Sequence, residues 1–181
     1  TSAYNTDAVA AMGIAQKVSM IPLYVAMGVS QGIMPLISYN YGADKPDRIR
    51  KIFFWVLMLC FCFTAVMFLV SRIMPQYFVR IFTDNPEYEE LAVWGIRAFT
   101  LMIVPLSFQY VIVDGLTALG MTRTSLTLSL VRKFLYFGAT CVLPLFFAAK
   151  SAFYAEPLAD GAAALLSCTV FFFVYRKYLR G

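Results

Sequence analysis

The sequence predicts an all-α fold, a polytopic transmembrane bundle of about five membrane-spanning helices. Its 181 residues are 61% hydrophobic and 14% charged, whereas soluble domains are about 45–50% apolar and about 25% charged. Several apolar runs approach the roughly 20 residues that a helix needs to cross a bilayer. A small soluble domain leaves much of its surface in water. The composition therefore argues against a water-soluble enzyme, a disordered chain and a secreted disulfide scaffold.

Five spans are predicted, and their bounds follow from the apolar runs and the charges that end them. The first has no charged residue between Val18 and Ala43, and the second has none between Ile52 and Val70. The third is apolar from Ala98 to Val113, and the fourth continues beyond Phe134. The fifth starts at Pro157, where proline suits a first helical turn. The predicted spans are about residues 10–41, 52–74, 92–119, 124–149 and 157–177.

The basic residues predict how these spans are oriented. One face of the bundle collects the loop after the first span, the turn after the third and the carboxyl end. It holds ten of the fifteen Lys and Arg residues: Lys45, Arg48, Arg50, Lys51, Arg123, Arg132, Lys133, Arg176, Lys177 and Arg180. Cytoplasmic loops carry an excess of basic residues. We therefore expect the amino end of this sequence outside the cell membrane and the carboxyl end in the cytoplasm.

The residue types give no support for catalysis or metal binding. The chain has no histidine, which removes histidine metal ligands and histidine general bases. Its four cysteines lie in apolar runs and are predicted to be small buried hydrophobes; they are Cys60, Cys62, Cys141 and Cys168. We expect no enzyme activity, no metal and no cofactor. The net charge of +5 is explained by topology rather than by a nucleic-acid partner.

The first span is irregular. Two prolines and two glycines interrupt it, and proline removes a helical hydrogen bond that lipid cannot replace. Such a helix can line a transport cavity or form a packing kink. The candidate cavity-lining residues are Gln31, Met27, Met34 and Asn40. The methionines are seven residues apart and share a face, which is consistent with an adaptable ligand surface or with a helix-packing stripe.

The third span carries the strongest candidate for ion coupling, Asp114. An intramembrane carboxylate costs several kcal/mol unless it is neutralised or paired, so it is a functional candidate by default. The alternative is a structural pair with Arg123 or Arg132. Ser107 and Gln109 lie nearby and complete the candidate coupling-ion or cavity set.

Charges also fall inside the last two spans. We expect one of Arg132 and Lys133 to face the bundle and the other to extend toward the interface. Glu156 and Asp160 lie near the start of the last helix, where its dipole favours acids; a cation site is the alternative.

Three segments form a pattern: residues 7–15 (DAVAAMGIA), residues 28–32 (GVSQG) and residues 35–43 (PLISYNYGA). Together they resemble the multidrug and toxic compound extrusion (MATE) family. Residues 115–123 (GLTALGMTR) are similar to that family's turn after its tenth helix. Arg132 and residues 157–160 also match its eleventh and twelfth helices. The resemblance implies that residues 1–181 correspond to helices eight to twelve of a twelve-helix transporter, a partial carboxy-terminal lobe.

The resemblance further implies multidrug efflux by secondary active antiport, in which cationic amphipathic compounds leave in exchange for protons or sodium ions. The gradient then supplies the energy, and the expected partners are such small molecules, membrane lipids, the amino-terminal lobe and helix seven. Some family members carry a central acid on the tenth helix, whereas this chain has Gln109 nearby and Asp114 further inward. Two alternatives remain, a lipid-linked polysaccharide flippase of the same broader superfamily and a non-transporting membrane scaffold subunit.

Overall fold

The protein is a bundle of helices in a computed structural model that describes residues 2–80, 86–146 and 154–179. The helices are α1 (Ser2–Gly42), α2 (Pro46–Ile73), α3 (Pro75–Arg80), α4 (Pro86–Phe99), α5 (Ile103–Ala118), α6 (Thr122–Phe146) and α7 (Ala155–Val174). A 3₁₀ turn, Thr100–Met102, joins α4 to α5, and a π-helical turn, Tyr175–Leu179, follows α7. No strand occurs in these described ranges. The predicted all-α fold class is confirmed.

The third predicted span consists of α4, the 3₁₀ turn and α5. Pro105 lies in the first turn of α5 and has no N–H to donate to the residue four positions earlier. The helical hydrogen-bond ladder tightens at Thr100–Met102, just before this proline. The segment Ala92–Ala118 is therefore one apolar helical segment with a local irregularity, and it is long enough to cross a membrane.

The junction between α1 and α2 is a tight turn with a left-handed residue. Asp44 has φ 51°, and the Lys45 N–H donates to the carbonyl oxygen of Asn40 at 3.0 Å. This pattern satisfies the last carbonyls of a helix and ends it. Pro46 then occupies the start of α2, where its missing N–H costs nothing.

The junction between α5 and α6 uses the same design with glycine. Gly120 has φ 78°, which glycine adopts without a steric penalty. The Met121 N–H donates to the carbonyl oxygen of Leu116 at 2.9 Å, and the Gly120 N–H donates to that of Thr117 at 3.0 Å. Helix α6 begins two residues after Gly120.

Helix α5 occupies the centre of the bundle and packs against α1, α2, α6 and α7. The largest buried cluster joins α1, α2 and α5 through Ile37, Phe53 and Val111. A second joins the first half of α1 to α3 and α4, and a third joins the end of α5 and the start of α6 to the end of α7. This arrangement brings polar side chains of four helices toward α5.

The outer surface is apolar. Large hydrophobic side chains stand exposed around the bundle, including Leu165 at 73%, Phe134 at 71% and Trp55 at 67%. Water would penalise so continuous an apolar surface, whereas lipid tails would not. Four helical segments of the described residues are long and apolar enough to cross a membrane: Gly13–Gly42, Pro46–Ile73, Ala92–Ala118 and Ala155–Lys177.

The remaining predicted span, residues 124–149, corresponds to α6. Its 25 residues reach about 37 Å at 1.5 Å per residue, enough for the roughly 30 Å hydrocarbon core. Residues 147–149 of that prediction lie outside the described residues.

The cysteine prediction is wrong for three of the four residues. Cys60 is buried, whereas Cys62, Cys141 and Cys168 are exposed. In a lipid-facing bundle an apolar run does not imply a buried position.

Candidate functional site

Asp114 of α5 is bonded to α1. The Ser30 hydroxyl donates to the Asp114 carboxylate and lies 3.2 Å from the backbone carbonyl oxygen of Tyr110, a second acceptor. Ser30 is fully buried and Asp114 is half-buried. A serine hydroxyl has one proton, so the two acceptors compete for a single donor.

The structure gives Asp114 a different partner from the two expected in a structural pair. Arg123 is exposed, and Arg132 is bonded to Asp160 instead. The pairing of Asp114 with either arginine is therefore not observed.

The pair formed by Arg132 and Asp160 joins α6 to α7 inside the bundle. Its Nε–Oδ1 distance is 2.7 Å, and the side chains are 15% and 6% exposed. The Arg132 guanidinium also donates to the Tyr110 hydroxyl at 3.1 Å and lies 5.5 Å from the centre of the Tyr110 ring. A buried charge needs such compensation, because an unpaired one is strongly destabilising.

Lys133 is exposed, so Arg132 is the one of the two neighbouring cations that faces the bundle; the sequence predicted one such residue without identifying it. Asp160 serves as an ion-pair partner rather than as a simple acid at a helix start. Glu156, one turn earlier, is half-buried.

Ser107 and Gln109 face the packed interior rather than an open cavity. Ser107 is fully buried; its hydroxyl lies 3.3 Å from the Thr64 hydroxyl of α2 and donates to the Val104 carbonyl at 2.7 Å. Gln109 is 3% exposed, and its Oε1 accepts no hydrogen bond from the described residues. The two side chains do not join Asp114 in one cluster.

The four candidates on α1 are also dispersed. Gln31 is exposed, while Met34 packs against the cluster formed by α1, α2 and α5. Met27 is half-buried. Asn40 is 4% exposed and donates from Nδ2 to the Leu36 carbonyl at 2.8 Å, so its amide group bonds its own helix. For Met34 the structure favours the helix-packing alternative.

Sequence reasoning missed Tyr110 and Ser30, and it missed the pairing of Arg132 with Asp160. The pair had a signal: two opposite charges lie within apolar spans, and buried charges are almost always paired. The roles of Tyr110 and Ser30 had no such signal, because tyrosine and serine occur throughout the apolar runs. Their contacts depend on residues about 20 and 80 positions away.

The described residues contain no group of three or more His, Cys, Asp or Glu side chains placed to hold a metal ion. The polar arrangement around α5 instead combines one carboxylate, one buried ion pair and a few hydroxyl groups. Such a set can bind, release or relay a small cation or proton.

Comparison with known proteins places these features in a family. The family model MatE matches residues 1–149. The chain is 26% identical over 126 residues to an FAD transporter of Shewanella oneidensis, covering 70% of this chain and 28% of that protein. It is 23% identical over 150 residues to the multidrug export protein MepA of Staphylococcus haemolyticus, covering 83% of this chain and 32% of that protein.

The fold agrees with a solved transporter structure. The MATE multidrug transporter DinF-BH, in complex with rhodamine 6G, superposes with a TM-score of 0.81 at 24% identity, covering 90% of this chain and 37% of that chain. The chain thus spans between 28% and 37% of the length of these proteins. Because the family model covers most of the sequence and the helices follow the same architecture, the chain belongs to the MatE family of membrane transporters.

Proposed function

We propose that this chain forms part of one lobe of a secondary active transporter that exports cationic amphipathic compounds in exchange for protons or sodium ions. The observation that carries the proposal is the family match across residues 1–149. The relatives include multidrug export proteins, and DinF-BH is a multidrug transporter solved with a bound rhodamine. In such transporters two lobes rock about a site near the middle of the membrane.

Within this lobe, Asp114 is the side chain best suited to couple ion movement to transport. It lies in a predicted span, it has no basic side chain as its hydrogen-bond partner among the described residues, and its bond to Ser30 links two helices. A carboxylate that gains or loses a proton or cation changes its charge and its preferred partners, which is the local event that a coupled conformational change requires.

The proposal includes a location and an orientation. The protein lies in the cell membrane, with the amino end of this chain outside and the carboxyl end in the cytoplasm, as the distribution of basic residues predicts. The amino-terminal lobe and helix seven complete the cavity, and membrane lipids cover the apolar outer surface.

The test is transport by the full-length protein that contains this chain, reconstituted in vesicles with an imposed proton or sodium gradient. The probe is rhodamine 6G, the compound bound to DinF-BH. It should leave against its concentration gradient when the gradient of the coupling ion, protons or sodium, is imposed. Asp114→Asn should abolish this efflux at unchanged expression, because the amide cannot carry the charge. The matched control is Asp47→Asn, which removes a carboxylate that is 81% exposed and should retain efflux.

Normal efflux by Asp114→Asn would remove its coupling role, and the absence of gradient-driven rhodamine movement in the wild type would contradict drug antiport. The FAD transporter relative motivates a parallel assay with FAD. Movement of FAD without movement of the rhodamine would assign an anionic nucleotide substrate instead.

A further inference from the structure

A chain of polar contacts crosses four helices of the bundle and ends at Asp114. It starts at Asp160 on α7, which is bonded to Arg132 on α6. Arg132 donates to the hydroxyl of Tyr110 on α5. The backbone carbonyl of Tyr110 is one of the two acceptors of Ser30 on α1, and the other acceptor is Asp114.

Tyr110 is the central element of this chain because it is held at both ends. Its hydroxyl is fixed by the guanidinium of Arg132, and the same guanidinium lies against its ring. Its carbonyl competes with Asp114 for the proton of Ser30. The position of Tyr110 therefore affects which acceptor Ser30 serves.

The Arg132–Asp160 pair is buried, and this makes it a rigid anchor. With side chains 15% and 6% exposed, both partners are largely shielded from solvent. Arg132 presents its donors in a fixed planar fork, so one edge bonds Asp160 while another holds Tyr110. Movement of α7 relative to α6 would displace Arg132 and, through it, the hydroxyl of Tyr110.

We propose that the Arg132–Asp160 ion pair positions Asp114 through Tyr110 and Ser30, so that ion binding at Asp114 on α5 is linked to the arrangement of α6 and α7. When Asp114 carries its charge, it accepts the hydrogen bond from the Ser30 hydroxyl and holds α1 against α5. When a proton or cation neutralises Asp114, the Ser30 hydroxyl donates instead to the carbonyl oxygen of Tyr110. The ion pair anchors Tyr110. Tyr110, Ser30, Arg132 and Asp160 are thus positioning residues, and their role in coupling rests on the function proposed above.

The first measurement reads the position of Asp114 without any transport assay. A hydrophobic carbodiimide reacts with carboxyl groups inside membranes, and mass spectrometry of the full-length protein gives its rate of reaction with Asp114. Tyr110→Phe removes one hydroxyl and should change this rate by at least about twofold, within the range expected for residues that modulate coupling. Arg132→Lys, which keeps the charge but loses the planar fork, should change it in the same direction.

Matched controls distinguish a specific effect on the position of Asp114 from a general loss of packing. Tyr136→Phe removes a hydroxyl from the exposed face of α6 and should leave the rate unchanged. Ser19→Ala removes a hydroxyl that bonds the carbonyl of Ala15 on its own helix and should also leave it unchanged. Ser30→Ala should change the rate, and adding Tyr110→Phe to Ser30→Ala should produce no further change, since both act through one contact.

The second measurement reads coupling in reconstituted vesicles as the number of ions moved for each rhodamine molecule exported. Tyr110→Phe should shift this ratio by at least about twofold, whereas a loss of folded protein would lower both fluxes equally.

Equal carbodiimide rates in wild type and Tyr110→Phe, including no reaction in either, would overturn the inference. Additive effects of Tyr110→Phe and Ser30→Ala would do the same. A wild type that moves no rhodamine contradicts the proposed function, while the carbodiimide rates still decide the positioning role.

Discussion

Helix α5 is held by different chemistry on its two sides. Toward α6 and α7, its Tyr110 hydroxyl is bonded to a buried ion pair. Toward α2, the Phe53 ring lies directly against the backbone of Gly115. The first contact is directional and depends on charge, while the second depends on shape and on the absence of a side chain. The hydrogen bond of Tyr110 therefore fixes the rotation of α5 about its axis, and the contact at Gly115 fixes the distance between α5 and α2.

The largest loss of stability should come from disrupting the ion pair on the side of α5 that faces α6 and α7. Asp160→Ala leaves Arg132 buried without its partner, and we expect the free energy of unfolding to fall by about 3–5 kcal/mol. Reversible unfolding of the full-length protein in mixed detergent micelles measures this. Asp160→Asn keeps an acceptor oxygen and should cost less. A loss below about 1 kcal/mol for Asp160→Ala would mean that the pair behaves as an exposed one.

Disrupting the packing between α5 and α2 should give an intermediate loss of stability. A methyl group added at Gly115 would overlap the Phe53 ring, and overpacking of this kind costs about 1–3 kcal/mol. The same unfolding measurement applies to Gly115→Ala. The control is Gly28→Ala, where an added methyl group meets no atom within 4 Å. Gly115→Ala should cost less in a Phe53→Leu background than in the wild type, because the smaller side chain relieves the overlap; an equal cost in both backgrounds would mean that the clash is not the cause.

The smallest effect should come from an ion pair that lies outside the packed bundle. Arg50 and Asp47 are 2.8 Å apart, but their side chains are 32% and 81% exposed. Arg50→Gln should lower the free energy of unfolding by no more than about 0.5 kcal/mol, and added salt should diminish that difference. A cost similar to that of Asp160→Ala would remove the contrast between buried and exposed pairs.

The sequence predicted the helices well because their signals are local. Apolar length marks the spans, whereas the details of the junctions at Pro46 and Gly120 come from the structure. The candidate site was less predictable. Asp114 stood out as a charge in an apolar run, but its partner Ser30 is 84 residues away. Periodicity shows which residues share a face of one helix, not which helix covers that face, so Met34 and Gln109 were candidates for a cavity although both pack inside the bundle.

The two short junctions also bear on how the chain enters the membrane. Three residues separate α1 from α2, and three separate α5 from α6. A connection of that length reaches at most about 15 Å, roughly half of the 30 Å hydrocarbon core. Both ends of each junction must therefore emerge on the same side. In the membrane each pair therefore forms a helical hairpin, and one helix of a pair cannot reverse its direction without the other.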